Sequence, residues 1–461
     1  MKKSSILILT IIFSASCTLR DFEEDINLDP NNPSEASAPQ LLASAMLSLP
    51  DIGANTTGEF YGQYLSETQY VVTSRYPKEG TSFYGWYEGP LVNLQTVLNT
   101  ATAANHLAVA KILKAYYIWH ITDRWGDVPF SEALQGAADF TPKYDTQESI
   151  YVALFDLLED AQAQIDGSIP LSGDIMYGGE MTQWKKFANT LRMLMALRLS
   201  EVTNSTIDAE AEFNAALSAG VMESNADNFA FHPNNEGTIQ NYWHTRVVVD
   251  GDEWWALTAT LVDIMEPIND PRLAVYGAPA RTSGEFIGLP IGTEPQGAEH
   301  TENYSLIGPE ILDAGHPVYL VTYAQALFAR AEAAARNWTN EDAAANYSAA
   351  IENSILQWTG TTSAVAVYLA QPEVIFDSNT AIEQISIQRY LHLFLHGYEA
   401  WAEWRRTGFP DFALSNGNEV PTRQIYVADE SFNNTDNYNE AVQRQFNGED
   451  DMYGRVWWDA N

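Results

Sequence analysis

The chain alternates between stretches in which apolar residues return every three or four positions and stretches with no period at all. In residues 104–122, Leu107, Ala110, Leu113, Tyr117 and Ile118 fall on one stripe of a 3.6-residue period, which predicts an amphipathic helix. The same spacing predicts helices over 147–165, 184–202, 209–219, 319–336, 341–357 and 381–406. Start signals support two of them. Thr146 precedes Glu148 and Ser149, and Thr339 precedes Glu341 and Asp342, so each hydroxyl can accept from unpaired first-turn amides. Gly220 and Gly408 stand where two helices should end, because glycine takes the left-handed cap conformation without a steric penalty. A faint repeat also emerges: Phe213-Asn-Ala-Ala-Leu217 reappears 134 positions later as Tyr347-Ser-Ala-Ala-Ile351. An aromatic followed by two alanines lets two helices approach closely, which predicts tetratricopeptide-like helix pairs.

Between the helical blocks the pattern changes. Residues 56–90 are crowded with Tyr, Gly, Ser and Thr. Residues 225–315 are rich in Gly, Pro, Asn and aromatics, with one short helical pattern over 253–265, and 426–461 forms a third loop-rich segment. Irregular stretches of such length inside a compact domain are usually functional. The expected fold is mostly α, with long inserted loops that carry the ligand site.

Composition narrows the function. Of 461 residues, 46% are apolar and 18% charged, so a sizeable core can be buried and disorder throughout is excluded. Lys and Arg number 24 against 61 Asp and Glu, a net charge of −37, which repels phosphate backbones and argues against a nucleic-acid partner. Anionic membrane surfaces are disfavoured for the same reason. The 13 Trp, 23 Tyr and 19 Phe point elsewhere. Trp and Tyr join a flat apolar face to a polar edge, which suits ligands that are partly apolar and partly hydroxylated; filling a helical core is their other use.

The N-terminus reads as an address. Lys2 and Lys3 precede a short apolar run over 6–13, then Ser14-Ala15-Ser16 and Cys17, the only cysteine. This order resembles a bacterial lipobox, in which the thiol is acylated and becomes the first mature residue. The match departs at Ser14 and Ser16, where Leu and then Gly or Ala are usual. The expectation is a signal peptide over 1–16, a lipidated tether over 17–40 with Cys17 as the lipid site, and a single helical domain over 41–461. The mature protein is expected to be lipid-anchored rather than membrane-spanning. The acidic run Arg20-Asp21-Phe22-Glu23-Glu24-Asp25 looks like the signal that sends lipoproteins to the exterior face of the outer membrane.

Catalytic motifs are absent. There is no Walker loop, dinucleotide glycine motif or Gly-x-Ser-x-Gly elbow, and no cofactor is expected. His392 and His396 stand four apart in a helical pattern, a spacing able to hold zinc. They lack the Glu after the first His and any evident third ligand, so they read as packing histidines and no metal is expected. Asp250-Gly251-Asp252-Glu253 reads either as a calcium loop or as a turn leading into a helix. With 61 acids, carboxylate pairs at glycosidase spacing arise by chance and carry no signal.

Several motifs taken in order point to one family. They are Thr122-Asp123-Arg124-Trp125-Gly126-Asp127-Val128-Pro129, the paired helical patterns over 321–338 and around Tyr347, and the run from Gly397-Tyr398-Glu399-Ala400-Trp401 to Arg405-Arg406-Thr407-Gly408-Phe409-Pro410. Pro421-Thr422-Arg423, Tyr426, Glu430, Asn433 and a terminal Trp457-Trp458-Asp459 follow. The order resembles the SusD/RagB family of outer-membrane nutrient-binding lipoproteins of Bacteroidetes, in its SusD-like branch ending in Trp-Trp-Asp. One departure is Gln325, where the family more often has Glu. The resemblance implies a SusD-like helical fold with tetratricopeptide-like pairs, no catalysis, and capture of an oligosaccharide, polysaccharide or in some cases a peptide. It also implies delivery to a SusC-like TonB-dependent transporter. A surface glycoside hydrolase is the enzyme-class alternative.

Sugar rings stack their C–H faces on aromatic rings while their hydroxyls need Asn, Asp, Gln or Arg partners. By location in the family's binding loops, Trp86, Trp243 and Arg75 are the favoured contacts, with Tyr76, Tyr84 and Trp254 beside them. Trp86 and Trp243 lie in stretches without helical period, so their replacement is expected to spare the scaffold. Trp119 and Trp401 lie in helical patterns and are expected in the core. Asp127-Val128-Pro129 should force an extended exit from its helix, and Arg405 and Arg406 should bridge buried carbonyls or acids at a helix C-terminus.

Overall fold

A computed structural model describes residues 36–136, 139–234, 239–294 and 296–460; the expected signal peptide over 1–16 and Cys17 lie outside the described residues, as does nearly all of the expected tether. The helical periods become α1 Ala38–Leu47, α2 Val92–Thr100, α3 Ala104–Trp125, α4 Gln147–Gln164, α5 Met181–Arg198 and α6 Ala209–Ala219. They continue as α7 Tyr323–Ala335, α8 Ala343–Thr359, α9 Ala381–His392, α10 Gly397–Thr407 and α11 Thr435–Phe446. Three short antiparallel pairs interrupt them. β1 Leu65–Glu67 pairs with β5 Trp255–Leu257, β2 Val128–Pro129 with β3 Tyr144–Asp145, and β4 Phe229–Phe231 with β6 Val318–Val321. No helix among the described residues is long and apolar enough to cross a membrane.

Helices adjacent in sequence pack as pairs: α3 with α4, α5 with α6, and α7 with α8. Small side chains allow this. Ala324 and Ala331 of α7 meet Tyr347, Ala350 and Ile351 of α8 in a buried cluster. The largest core joins Tyr116, Trp119 and Trp125 of α3 to Trp184 and Phe187 of α5, where Phe187 stacks on Phe229 at 3.9 Å. A second core gathers Tyr64, Trp243, Tyr276, Tyr390 and Trp401. Trp119 and Trp401 are buried as their helical positions require.

Cap chemistry explains most helix limits. Thr146 accepts from Ser149 N at 3.3 Å, and Gly220 and Gly408 end their helices at φ of 95° and 78°. At α8 the cap is Asp342, which accepts from Ala345 N at 3.1 Å; Thr339 lies one turn too early. The 319–336 pattern divides into β6 and α7 at Thr322, where Gln325 Oε1 accepts from Thr322 N at 2.8 Å. That reciprocal capping box gives Gln325 the role Glu would have there. The 253–265 pattern likewise divides, into β5 and a helix Ala259–Met265 capped by Thr258.

The single helix expected over 381–406 is broken between His392 and Gly397. Leu395 turns to a φ of 61°, and Gly397 lies so close to Gly58 that a Cβ would stand 2.2 Å from the Gly58 carbonyl. His392 and His396 therefore do not share a helical face. His392 bonds Thr322 Oγ1 at 2.6 Å and Ser354 Oγ at 3.0 Å, while His396 stacks on His120 at 5.6 Å.

Beneath the helix pairs runs a buried ion network. Arg198 reaches Asp123 at 3.2 Å and Glu399 and Glu403 at 2.7 Å each. Arg406 binds Glu332 and Glu403 at 2.6 Å, and Arg389 binds Glu332 at 2.8 Å and also Glu403. Burial raises the Glu403 carboxyl, but Arg406, Arg389 and Arg198 overcome it and hold the group at about 2. Arg405 donates to the carbonyls of Thr422 and Asp123 at 3.0 and 2.8 Å. Desolvation offsets much of the Coulombic gain, so the network fixes the mutual register of α3, α5, α7, α9 and α10 more than it adds net stability.

Candidate functional site

The 56–90 stretch has more order than its composition suggests. It holds a helix Thr56–Tyr61, β1, and a helical turn Tyr84–Trp86 that widens into a π-helical turn Tyr87–Leu91 before α2. A second π turn, His244–Val249, follows Trp243. Such turns recur at functional sites because the extra residue re-aims neighbouring side chains. Here the first π turn, through Pro90, and Tyr242, which precedes the second, border one cleft. It measures about 430 Å³ and is lined by Ser48, Asp51, Asn55, Thr56, Trp86 and Tyr242, together with Ala54, Gly85 and Pro90.

Each wall of the cleft has a physical role. Trp86 is half-buried; Tyr117 meets its ring edge-on at 5.5 Å, and the Arg124 guanidinium lies 5.9 Å from it, so the indole is held firmly. Asn55 Oδ1 caps the helix Thr56–Tyr61, accepting from Thr57 N at 3.1 Å and Gly58 N at 3.4 Å. Its Nδ2 has no acceptor among the described residues. The Asp51 carboxyl has no side-chain partner among the described residues, and desolvation raises it above the ordinary carboxylate range. Burial likewise raises the Tyr242 phenol, with Arg246 pulling it back. An aromatic platform, an amide donor, a carboxylate acceptor and a phenol thus surround one concave space.

The other expected contacts fall elsewhere. Trp243 is 1% exposed and belongs to the second core, with Tyr242 at 5.1 Å and Trp255 at 5.4 Å from its ring. The expectation that it is a loop residue whose replacement spares the scaffold is corrected: the turn beginning at Asn241 folds it inward. Tyr76 is buried against Tyr61 at 5.7 Å, and its hydroxyl donates to the Phe60 carbonyl at 3.2 Å. Arg75 donates from Nε to the Gly292 carbonyl at 2.9 Å and pairs with Glu294 at 2.8 Å, pinning that loop. The Tyr84 hydroxyl binds Glu430, which Tyr144 also binds. Trp254 is half-buried, with Tyr70 at 5.2 Å and Arg246 at 5.4 Å from its ring.

Asp51, Asn55 and Ser48 escaped sequence reasoning, since they precede the aromatic-rich stretch and look like ordinary turn residues. The available signal was Asn55 as a cap after a proline-started turn. The Asp250-Gly251-Asp252-Glu253 acids are engaged by cations: Arg246 reaches Asp250 at 3.0 Å and Asp252 at 2.5 Å, and Arg281 binds Glu253. Among the described residues no group of three or more His, Cys, Asp or Glu is gathered to hold a metal ion.

Comparison with known proteins places this architecture. A chitin-binding protein of known structure is 30% identical, with a TM-score of 0.82, covering 92% of this chain and 100% of its own. A SusD homologue from Bacteroides fragilis NCTC 9343 is 27% identical, with a TM-score of 0.83 over 92% of this chain and 99% of that one. A chitin-binding SusD homologue from Flavobacterium johnsoniae shares the fold at 24% identity, with a TM-score of 0.80 over 92% and 98% of the two chains. Curated proteins give no match. The SusD-like family profile, described as starch-binding and associating with the outer membrane, matches residues 30–427. That profile spans most of the residues that build the helix pairs, the ion network and the cleft, and on this ground the chain belongs to the SusD-like family.

Proposed function

We propose that this protein is a surface-exposed, lipid-anchored glycan-binding protein that captures an oligo- or polysaccharide and delivers it to a SusC-like TonB-dependent transporter without cleaving it. The observation that carries this reading is the clamped Trp86 ring in a cleft that also offers Tyr242, Asp51 and Asn55. Such a set matches a sugar, whose C–H face stacks while its hydroxyls both donate and accept. The cleft lining holds Asp51 and no Lys or Arg, which favours a neutral glycan over a uronic or sulfated one. Because two similar structures are described as chitin-binding, N-acetylglucosamine oligomers are the first ligands to test. Cys17 carries the lipid in this account, residues 17–40 tether the protein, and 41–461 form one binding unit on tetratricopeptide-like pairs. Trp86 is the principal contact, Trp254 an outer one, and Arg75, Tyr76 and Tyr84 hold the surrounding loops.

The test is an array of purified polysaccharides and peptides probed with the protein lacking residues 1–16. Retention of a neutral glycan with little salt dependence, and no new reducing ends after long incubation, is expected. Retention of peptides alone would establish the peptide-binding alternative, and release of reducing ends would establish a hydrolase. Cys17→Ala is expected to move the protein from the membrane to the soluble fraction.

A further inference from the structure

A second cavity, of about 210 Å³, shares no lining residue with the cleft. Trp255 of β5, Val247 of the second π turn, and Pro279, Leu306, Ile307 and Leu312 supply its apolar walls. An apolar cavity of about 150 Å³ holds a benzene ring, so this one has room for a ring with a short chain. Its polar lining is selective. Glu253 and Arg281 bind each other, Arg281 also reaches Glu302 at 3.2 Å, and Thr301 donates to the Gly297 carbonyl at 3.2 Å. Two groups on the wall stay open. Asp252 has a side chain only 13% exposed; Arg246 reaches its Oδ2 at 2.5 Å, while Oδ1 takes part in no hydrogen bond among the described residues. The half-buried Tyr304 hydroxyl likewise has no partner among them.

The charge at this pocket is one-sided. Asp250, Asp252, Glu253 and Glu302 answer only Arg246 and Arg281 in the ion cluster around it, which leaves two negative charges in excess. An anion is repelled there, and a wholly apolar molecule would desolvate Asp252 without giving it a partner. An ammonium group has three donors and no acceptor, whereas the open carboxylate oxygen and the phenol oxygen can both accept. We propose that this pocket is a binding site, separate from the cleft, for a small primary amine with an apolar ring. Its ammonium binds Asp252 and its ring packs against Trp255 and Leu306. The inference does not depend on what the cleft binds.

The experiment titrates phenethylamine, phenethyl alcohol and hydrocinnamate, which share a ring and a short chain but differ in charge, into the protein lacking residues 1–16, followed by ligand-observed NMR. Phenethylamine is expected to bind saturably with a Kd of about 1 mM or tighter, a modest affinity for so small a molecule. The alcohol is expected to bind roughly tenfold more weakly and hydrocinnamate not at all. Asp252→Asn should weaken the amine about tenfold and leave the alcohol unchanged, the difference made by one charge-assisted hydrogen bond. Ala278→Leu extends a wall residue into the cavity and should weaken both at least roughly tenfold at unchanged melting temperature. Absence of saturable amine binding, hydrocinnamate binding as tightly as the amine, or equal losses of amine and alcohol in Asp252→Asn would each overturn the proposal. So would full amine binding by a folded Ala278→Leu. If that variant fails to fold, the comparison of amine with alcohol in Asp252→Asn decides.

Discussion

Replacing Trp243 distinguishes a scaffold tryptophan from a ligand-binding one. The ring is 1% exposed and lies between Tyr242 and Trp255 in the second core. Truncation to alanine removes its apolar burial and leaves a cavity that the surrounding aromatics, themselves packed in several directions, can close only partly. Such aromatic-to-alanine changes lower stability by about 3–5 kcal/mol. The indole Nε1 has no hydrogen-bond acceptor among the described residues, so no buried bond is lost with it. That orphan donor makes a second variant informative. Trp243→Phe keeps most of the apolar volume and removes a donor whose desolvation is uncompensated, a penalty of about 1–3 kcal/mol. It should therefore be nearly neutral, within about 1 kcal/mol of the wild type. Urea unfolding followed by far-ultraviolet circular dichroism reads both. An alanine variant with an unchanged midpoint and abolished glycan binding would refute the reasoning and return Trp243 to the site. A phenylalanine variant as damaged as alanine would refute the assignment of the unpaired donor.

Two further outcomes follow from buried charge. Glu332→Gln leaves Arg336, Arg389 and Arg406 facing a neutral amide, and breaking a buried ion cluster in this way is expected to lower stability by about 3–5 kcal/mol in the same urea assay. Unchanged stability would show that the network is dispensable. The buried His392 is pushed down to about 3 by desolvation, with Arg272 and His396 adding to it. Below its unfolded pKa of about 6.5 the unfolded chain takes up a proton that the folded state refuses, so its contribution is full above about pH 6.5 and falls steadily on acidification toward the folded pKa. Glu399, raised to about 7 by burial against the pull of Arg198, works in the opposite sense, since on acidification the folded chain takes up its proton at a higher pH than the unfolded chain does. The difference between wild type and His392→Gln is therefore the proper readout. It should shift by about 2 kcal/mol in favour of the variant between pH 8 and about pH 5, and a pH-independent difference would refute a neutral buried His392.

The sequence made the scaffold legible where one principle dominated. The end of α6 was readable because the apolar period and Gly220 agree, while its start is set by Asp208, which the structure shows accepting from Ala211 N at 3.0 Å. The Val128–Pro129 strand was readable because a residue before proline is kept extended. Failures arose where tertiary contact overrode local pattern. The break at 393–396 depends on Gly397 meeting Gly58, a contact between residues far apart in the chain. Trp243 looked like a loop residue because a single buried turn has too few residues to show a period. The candidate cleft was half-legible for a related reason: Trp86 stood out in its aromatic-rich stretch, but Asp51 and Asn55 join the lining only when the segment after α1 is brought against the turn that carries Trp86. The ion network was foreshadowed by Arg405-Arg406, while its acids on α3, α7 and α10 could not be chosen from 61.

The most direct test of the central claim is a calorimetric titration of the N-acetylglucosamine hexamer into the protein lacking residues 1–16, in parallel with Trp86→Ala. Loss of the stacked ring should weaken binding by about 1–1.5 kcal/mol, on the order of tenfold, with the oligomer recovered uncleaved. The variant should also melt somewhat earlier, which corrects the expectation that replacing Trp86 spares the scaffold, since the same ring packs on Tyr117 and Arg124. Hexamer binding that is identical in the two proteins at matched fraction folded would contradict the assignment of the cleft as the glycan site.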